Sequence, residues 1–320
     1  MASALVAIRS AVRPYLELCE AGDVVLVAVS GGADSLALAG AVLKEATALT
    51  IKAIGVTINH QLQTGSKDQA EKVNAQLREL GYADVIIKDV TVSMSEGLEA
   101  GARAARYLAL DGILEEKSAK QIYLGHTRDD QAETVLLGLS RGSGTRSLSG
   151  MAVTNRNYIR PLLSITREET EAACRELGVA PWSDPHNQNT EFSRVRVRKN
   201  VLPVMEENLG PGISAALARS AALFRDDADA LDELASQAIE GLNLAELECT
   251  YLETLSRALR SRILRRAIYA AGAPGGAISA EHLAAVEALV TAWHGQGEVS
   301  LPGGVKVVRI SGRLSLSARQ

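Results

Sequence analysis

The sequence predicts a doubly wound α/β domain on a parallel sheet, followed by a smaller α+β domain. Residues 24–29 form an uninterrupted apolar run of strand length, which is typical of a strand buried on both faces of a parallel sheet. Segments with strand and helix character then alternate, which implies right-handed crossovers between parallel strands. Near the end of the chain, short β segments separated by Pro-Gly-Gly and Ser-Gly indicate a different architecture.

The two domains are predicted at residues 1–208 and 209–320, with Gly210-Pro211-Gly212 as a linker. In the first domain, the hydrophobic pattern predicts strands at 24–29, 51–58, 85–87 and 121–124. It predicts helices at 36–43, 67–80, 96–116 and 166–177, and a further helix that begins near 127. In the second domain it predicts helices at 213–240, 250–271 and 280–292, and β segments around 299, 305–308 and 314–316.

Composition excludes several classes of protein. The net charge is −4, so a nucleic-acid surface has to be a local basic patch. The three cysteines are far apart and form no Cys-x-x-Cys pair, which argues against zinc ribbons and cysteine-ligated clusters and suits a reducing compartment. No apolar stretch reaches the ~18 residues that span a bilayer, and no secretory signal is visible. A cytoplasmic protein without membrane contact is therefore expected.

The turn between the first strand and the first helix is suited to bind phosphate. It consists of Ser30, Gly31, Gly32, Ala33, Asp34 and Ser35. Glycines let backbone N–H groups converge on an anion, and the N-terminus of the following helix adds the positive end of its dipole. The hydroxyl groups of Ser30 and Ser35 would supply further donors. The turn therefore predicts a nucleotide site.

Other interpretations of this turn remain open. The sequence contains neither the lysine-bearing P-loop motif nor the dinucleotide fingerprint after a strand. The run Ala-Val-Ser-Gly-Gly is a variant of the hydrolase nucleophile elbow, with Ser30 as nucleophile, although no His-Gly-Gly-Gly segment accompanies it. An ordinary strand–helix turn, with Asp34 and Ser35 capping the helix, is the structural alternative.

Polar side chains also follow the second and fourth predicted strands. Asn59 and His60 end the second strand, and residues 125–134 (Gly-His-Thr-Arg-Asp-Asp-Gln-Ala-Glu-Thr) follow the fourth. On a helix, Asp130 and Glu133 share one face, where two carboxylates can hold an ammonium group or magnesium, or accept a proton. Stabilisation of the helix dipole by acids in the first turn is the alternative, above all for Asp129.

Arginines accompany these strand ends. Arg103 and Arg106 share a helix face, and Arg141 and Arg146 flank a Gly-Ser-Gly run that is suited to meet the phosphate of ATP or RNA. A solvated basic face and a glycine-capped helix end are the alternatives. Two further basic clusters are candidate phosphate contacts, although some members of the second are expected to pair within the protein: Arg194, Arg196, Arg198 and Lys199; and Arg257, Arg260, Arg262, Arg265 and Arg266.

The Ser-Gly-Gly-x-Asp-Ser turn resembles the pyrophosphate loop of the N-type ATP pyrophosphatases, the PP-loop superfamily. Together with further motifs it resembles the tRNA(Ile)-lysidine synthetase family over residues 22 to about 205. The motifs that carry this resemblance are 59–60, 102–107, 125–134, 141–144 with 150–151, 160–162 and the Asp-Pro-x-Asn run at 184–187. The motif at 125–134 distinguishes this family from other pyrophosphatases.

The resemblance implies a fold similar to the adenine nucleotide α-hydrolases and an AMP-forming ligase. ATP would adenylate the wobble cytidine in the CAU anticodon of isoleucine tRNA, and free L-lysine would then displace AMP to give lysidine, with pyrophosphate as the other product. The alternatives are another tRNA- or small-molecule-modifying ATP pyrophosphatase, such as a thiolase or an amidotransferase, and a catalytically silent tRNA- or nucleotide-binding protein. A homodimer is one option for the oligomeric state, which the sequence leaves open.

The resemblance also assigns roles to residues. The expected catalytic residues are Asp34, Asp130, Glu133 and Arg106. ATP is expected at Ser30, Gly31, Gly32, Ala33, Asp34, Ser35, His60, Gly125 and His126, with magnesium at Asp34. Lysine and tRNA are expected at Asp130, Glu133, Arg103, Arg141, Arg146, Arg194 and Arg198. One of the carboxylates Asp130 and Glu133 would anchor lysine and the other would accept a proton, in an order that stays open.

Overall fold

The computed structural model describes residues 3–62, 65–93, 97–142, 144–182 and 189–318. The chain divides into two compact units, residues 1–224 and residues 225–320. The domain boundary that the sequence places after residue 208 stays a prediction.

The first unit alternates strands and helices in the order of an α/β fold. Its strands are β1 (Val24–Ala28), β2 (Lys52–Asn59), β3 (Asp84–Asp89), β4 (Gln121–Leu124), β5 (Thr154–Asn155) and β6 (Tyr158–Ile159). Its helices are α1 (Ala4–Leu16), α2 (Ala33–Ala48), α3 (Ser66–Leu80), α4 (Leu98–Glu116), α5 (Arg128–Leu139), α6 (Thr145–Leu148), α7 (Arg167–Leu177), α8 (Ser193–Arg196) and α9 (Leu202–Leu209). A π-helical turn, Val197–Val201, joins α8 to α9. Helix α10 (Ile213–Ala238) begins in this unit and ends in the second.

The strands of the first unit form one six-stranded sheet in the order β3-β2-β1-β4-β6-β5. β1 pairs in parallel with β2 and β4, β2 with β3, and β4 with β6, whereas the edge strand β5 is antiparallel to β6. The predicted fold class, a doubly wound parallel sheet, is confirmed.

Different helices cover the two faces of the sheet, because successive residues of β1 point to opposite sides. Val25 and Val27 belong to a buried layer formed with α1, α2 and α7, which pack against one another. Leu26 and Ala28 belong to the opposite layer, with Leu110 of α4. Burial of each large aliphatic side chain contributes about 1.5–3 kcal/mol, which explains the uninterrupted apolar run.

The strand order reverses between β1 and β4. The chain runs outward from β1 to β2 and β3, and then returns to place β4 on the other side of β1. Ligands of open α/β sheets bind beyond the carboxyl ends of the strands at such a reversal. The candidate site is therefore expected beyond Ala28 and Leu124.

The second unit combines an antiparallel sheet with helices, as the sequence predicts. Its sheet has the order β7-β10-β9-β8, from β7 (Glu246–Glu248), β8 (Val299–Ser300), β9 (Val305–Ile310) and β10 (Arg313–Ala318). Its remaining helices are α11 (Cys249–Thr254), α12 (Arg257–Ala270) and α13 (Ala280–Thr291). Ile263 and Ile268 of α12, Val286 of α13 and Val307 of β9 are fully buried in one core.

One predicted helix is wrong. The segment 250–271 forms two helices, because Leu255 and Ser256 adopt extended backbone torsions between α11 and α12. The guanidinium group of Arg260 donates to the carbonyl oxygens of Leu252 at 3.4 Å and Leu255 at 3.0 Å, which satisfies the end of α11. These contacts of Arg260 do not alter the spacing of apolar residues along 250–271. The hydrophobic pattern therefore does not show that the helix is interrupted.

Candidate active site

Hydrogen bonds within the turn after β1 hold its shape. Gly31 has a φ of +87°, and a β-carbon there would lie 2.7 Å from Cγ2 of Val73, so the position requires glycine. The hydroxyl of Ser35 donates to the carbonyl oxygen of Gly32 at 2.9 Å and accepts from the backbone N–H of Ser30 at 3.2 Å. Ser35 therefore braces the turn, and the backbone N–H groups of the first turn of α2 are left to bind a ligand.

Asp34 points away from the end of α2 and contacts α7. The N-cap residue of α2 is Gly32, and no side chain caps the helix, so capping by Asp34 or Ser35 is not observed. Thr170 donates its hydroxyl to Oδ1 of Asp34 at 2.5 Å, and Nε of Arg167 lies 3.5 Å from Oδ2. Burial raises the pKa of Asp34, although Arg167 and Thr170 oppose the shift.

Asp130 closes the N-terminus of α5 and contacts two arginines. Its Oδ2 accepts hydrogen bonds from the backbone N–H and the hydroxyl of Thr127, at 2.9 and 3.2 Å, in a capping box. Its Oδ1 lies 3.5 Å from Nη2 of Arg167 and 3.5 Å from Nη2 of Arg198. Burial alone would raise the pKa of Asp130, but the hydrogen bond from Thr127 and the nearby cations lower it.

Glu133, one turn further along α5, has no exposed surface. Its Oε1 accepts a hydrogen bond from Nε of Arg198 at 2.6 Å, and its Oε2 has no hydrogen-bond partner among the described residues. Burial raises the pKa of Glu133 against the opposing hydrogen bond from Arg198. Arg198 thus bridges the two predicted carboxylates from the π-helical turn, a feature that is frequent at functional sites.

Asp129 stabilises the fold at this edge of the sheet. Its Oδ2 accepts the backbone N–H of Arg167 at 3.0 Å, and the backbone N–H of Arg128 donates to the carbonyl oxygen of Ile165 at 2.9 Å. These two bonds join the first turns of α5 and α7. Asp129 therefore has a structural role in joining the two helices, beside the stabilisation of the helix dipole that its place in the first turn of α5 predicts.

Three cavities surround the carboxyl ends of β1, β2 and β4. The first has a volume of about 610 Å³ and lies between the ends of β1 and β2 and helix α3, with Gln69 and Trp182 in its wall. The second, of about 740 Å³, is lined by the turn after β1 and by Gly125, His126, Asp130, Arg167 and Arg198. The third, of about 820 Å³, is lined by His60, Arg103, Tyr107, Thr134, Arg141 and Arg194.

Arg106 of α4 lines all three cavities. His60 lines the first and third, and His126 the second. Burial lowers the pKa of His60, and it lowers that of His126 to about 3, with a further contribution from Arg106 in both cases. Nδ1 of each ring has no hydrogen-bond partner within the described part of the chain. The lowered pKa favours the neutral form of both imidazoles at neutral pH, and each ring leaves Nδ1 for a ligand.

The third cavity has a basic wall. Arg103 stacks on Tyr107, with its guanidinium carbon 4.9 Å from the ring centroid. Arg141 is exposed, and Nη2 of Arg194 lies 3.3 Å from the hydroxyl of Thr134. None of the described residues that line this cavity is acidic. The wall therefore suits an anionic guest.

The arginines at 194–198 do not form one patch. Arg194 lines the third cavity and Arg198 the second, whereas Arg196 donates to the carbonyl oxygens of Thr190 at 3.0 Å and Glu191 at 2.7 Å. The helical and π-helical turns from residue 193 onward point alternate arginines in different directions. Arg146 is exposed and does not line any of the three cavities.

The second unit uses part of its arginine cluster internally, as predicted. Arg260 pairs with the buried Glu287 at 2.9 Å, and Arg262 pairs with Asp232 at 2.8 Å. Arg257 also lies near Glu287, with its Nε 3.4 Å from Oε2, although its side chain is 81% exposed. Arg265 is exposed as well.

The sequence did not point to three residues at the site: Arg167 and Trp182, which line the second cavity, and Thr170, which is bonded to Asp34. Arg167 and Thr170 belong to α7, where the sequence shows a capping box and gives no sign that the helix reaches the turn after β1. Trp182 donates its backbone N–H to the carbonyl oxygen of Gly31 at 2.9 Å. The one signal in the sequence is the i, i+3 spacing of Arg167 and Thr170, which places both side chains on the same face of the helix. Ser143 and the run at 184–187 lie outside the described residues.

Two family models match the chain. A PP-loop domain matches residues 7–205, and a TilS substrate binding domain matches residues 247–315. The helices of the described residues include none that is both long and apolar enough to cross a membrane.

Several known proteins are similar to the chain over most of its length. The tRNA(Ile)-lysidine synthase of Thermobifida fusca is 50% identical over 313 residues, which cover 97% of each chain. That of Streptomyces coelicolor is 52% identical over 295 residues, or 91% of this chain and 84% of the relative. A solved structure, the U34-tRNA thiolase NcsA from Methanococcus maripaludis with its [4Fe-4S] cluster, superposes with a TM-score of 0.58 at 18% identity. It covers 69% of this chain and 80% of its own, and shares the fold alone.

Proposed function

The chain belongs to the tRNA(Ile)-lysidine synthase family, and we propose that it joins free L-lysine to the wobble cytidine of isoleucine tRNA with a CAU anticodon. The reaction consumes ATP and releases AMP and pyrophosphate, as in other AMP-forming carbon–nitrogen ligases. The observation that carries the proposal is the position of Arg106, which lines all three cavities at the reversal of the sheet. The nucleotide, its phosphates and a third ligand can therefore meet around one side chain.

We assign the first cavity to the adenosine of ATP and the second to its phosphates. The turn after β1 lines the second cavity with Gly32 and the N-terminus of α2, which suit the departing pyrophosphate. His60 and His126 are neutral and contribute ring nitrogens to the nucleotide. The basic third cavity is assigned to the target nucleotide of tRNA, with Arg103, Arg141 and Arg194 as phosphate contacts.

Magnesium fits this site only together with the nucleotide. The described residues contain no group of three or more His, Cys, Asp or Glu that could hold a metal. Magnesium is commonly bound by one or two carboxylates plus substrate phosphates, and Asp34 supplies one carboxylate beside the turn. Bound there, magnesium would neutralise charge on the phosphates.

The reaction divides into two balanced steps. In the first, the C2 carbonyl oxygen of cytidine attacks the α-phosphorus of ATP. An oxygen–phosphorus bond forms, the bond to the bridging oxygen breaks, and pyrophosphate leaves with the electron pair. In the second, the side-chain amine of lysine attacks C2, a carbon–nitrogen bond forms, and AMP leaves with the electrons of the C2–oxygen bond. We assign Arg106, which lines all three cavities, to stabilise the charge that develops on the phosphate.

Lysine requires both an anchor and a proton acceptor, because its side-chain pKa is about 10.4 and the bound ammonium is not nucleophilic. Asp130 lines the second cavity and is ionised, so we assign it as the anchor. Glu133 has a raised pKa, which suits a proton acceptor. Because Arg198 stands between Glu133 and the second cavity, this role requires Arg198 to move aside.

A cytoplasmic location and the homodimer remain expectations. The alternative of a thiolase or an amidotransferase is not favoured, because the lysidine synthases match nearly the whole chain at about half identity.

The proposal is tested by mass analysis of an isoleucine tRNA transcript with a CAU anticodon after incubation with ATP, magnesium and lysine. The expected gain is the mass of one lysine less one water, located in the anticodon fragment. A transcript with uridine at the wobble position and a reaction without ATP are the controls, and neither should gain mass. If pyrophosphate is released in a tRNA-dependent way but the CAU transcript does not gain the mass of lysine, the assignment of lysine as the substrate is overturned.

A further inference from the structure

Arg167 stands between the two carboxylates that the proposed function assigns to different substrates. Its Nε lies 3.5 Å from Oδ2 of Asp34, and its Nη2 lies 3.5 Å from Oδ1 of Asp130. A charge-assisted N–H···O bond is usually about 2.7–2.9 Å long, so neither contact is at its optimum. One guanidinium group is thus shared by two acids on different helices.

Each of these carboxylates has one oxygen fixed and one oxygen directed to Arg167. Oδ1 of Asp34 is held by the hydroxyl of Thr170, and Oδ2 of Asp130 is held by Thr127. The oxygens that face Arg167 are therefore the ones available to an incoming cation. The magnesium assigned to Asp34 and the lysine ammonium assigned to Asp130 would each compete with Arg167.

The main chain of Arg167 is fixed while its side chain reaches into the second cavity. Its backbone N–H donates to Asp129 at 3.0 Å, and a capping box between Thr166 and Glu169 fixes the first turn of α7. Its side chain is 28% exposed and lines the same cavity as the turn after β1. A rotation of the side chain alone can carry the guanidinium from Asp130 toward a phosphate in that cavity.

We propose that Arg167 couples nucleotide binding to lysine binding, an inference that rests on the proposed function of the site. The phosphates of ATP attract the guanidinium group and withdraw it from Asp130. Oδ1 of Asp130 then loses one of its two arginine contacts, while Arg198 stays beside it in both states, and it binds the lysine ammonium more tightly. By linkage, lysine strengthens nucleotide binding by the same factor.

The test is equilibrium dialysis of labelled lysine against the full chain, with and without the magnesium complex of α,β-methylene ATP. In the wild type, we expect the analogue to tighten lysine binding about fivefold or more, the lower end of typical coupling. In Arg167→Gln, lysine should bind without nucleotide about as tightly as the wild type does with it, and the analogue should add nothing. A purely structural role of Arg167 would instead weaken lysine binding in both states.

Two further variants control for charge and folding. Arg167→Lys keeps the cation, but a single ammonium cannot span both carboxylates, so the coupling should also fall toward unity. Lys44→Gln removes an exposed cation from α2 that lines none of the three cavities, and should keep the wild-type ratio.

The outcomes separate the inference from the proposed function. Binding of both ligands without coupling in the wild type, or full coupling in Arg167→Gln, would overturn the inference and leave the proposed function standing. A wild type that binds the analogue and no lysine would overturn both.

Discussion

Gly125, at the end of β4, lies in direct contact with the backbone of Asp34. A β-carbon at Gly125 would lie 3.0 Å from both the carbonyl carbon and the carbonyl oxygen of Asp34, and 3.1 Å from Cα of Ser35. These atoms belong to the first turn of α2, so no side-chain rotation can relieve the clash. The absence of a side chain at Gly125 therefore sets the distance between the carboxyl end of β4 and the phosphate-binding turn.

Gly125→Ala is expected to displace the turn by a few tenths of an ångström and to lower kcat/KM for ATP several-fold, short of the roughly 100-fold loss that a displacement near 1 Å causes at a reacting group. The measurement is tRNA- and lysine-dependent release of pyrophosphate. Gly112→Ala is the matched control, because a β-carbon at this exposed position of α4 meets nothing within 4 Å. It should keep activity and raise the free energy of unfolding by about 0.5–1 kcal/mol. Equal activity of both variants would contradict the role of Gly125.

Asp130 and Glu133 are expected to respond differently to neutralisation. Asp130→Asn removes the proposed ionic anchor and should raise KM for lysine about 10- to 100-fold, since a hydrogen bond to a charged group contributes about 1.5–3 kcal/mol. Glu133→Gln leaves Asp130 in the cavity wall and should lower kcat more than it raises KM for lysine. Steady-state kinetics at saturating ATP and tRNA distinguish the two effects. Wild-type KM and turnover in both variants would refute the assignment.

The sequence predicts those parts of the site whose geometry is local. The apolar run of β1, the glycines of the turn and the i, i+3 pair on α5 are each encoded within a few residues, and the structure places them at one edge of the sheet. The pairing of Asp130 with Glu133 on one helix face follows from helical periodicity alone.

The remaining features depend on contacts between distant segments. Arg167 reaches Asp34 because Asp129 and Ile165 join α5 to α7, and no periodic pattern records such a bond. Glu133 was expected to face a ligand, but Arg198, 65 residues further along the chain, covers it. The alternation of arginine and valine at 194–198 does not predict the π-helical turn that directs these arginines to different cavities.

Binding of tRNA is expected to weaken steeply with salt, because phosphate contacts release condensed counterions. Arg194→Gln should reduce the slope of log Kd against log salt by about 0.7 to 1, the effect of one lost phosphate contact. Arg196→Gln is the control, since its guanidinium is occupied by the carbonyl oxygens of Thr190 and Glu191 and should leave the slope unchanged. Filter binding over a range of salt concentrations measures both slopes. A flat response of the wild type would exclude Arg194 as a phosphate contact.

His126 is expected to make stability depend on pH. Burial lowers its pKa in the folded state to about 3, whereas a histidine in an unfolded chain has a pKa near 6.5. As the pH falls below about 6.5, the unfolded chain gains a proton that the folded chain does not bind. The free energy of unfolding should therefore decrease, by at most about 1.4 kcal/mol per pH unit from this group, and His60 adds a change of the same sign.

Urea unfolding of the full chain between about pH 7 and pH 5 measures this dependence. His126→Gln should show a shallower loss of stability than the wild type, because the variant has no imidazole to protonate on unfolding. His294→Gln is the control, since this histidine is exposed in the second unit and its replacement should leave the slope as it is. The same slope in His126→Gln and the wild type would mean that His126 is protonated equally in both states, and the neutral imidazole assigned to the nucleotide site would then be wrong.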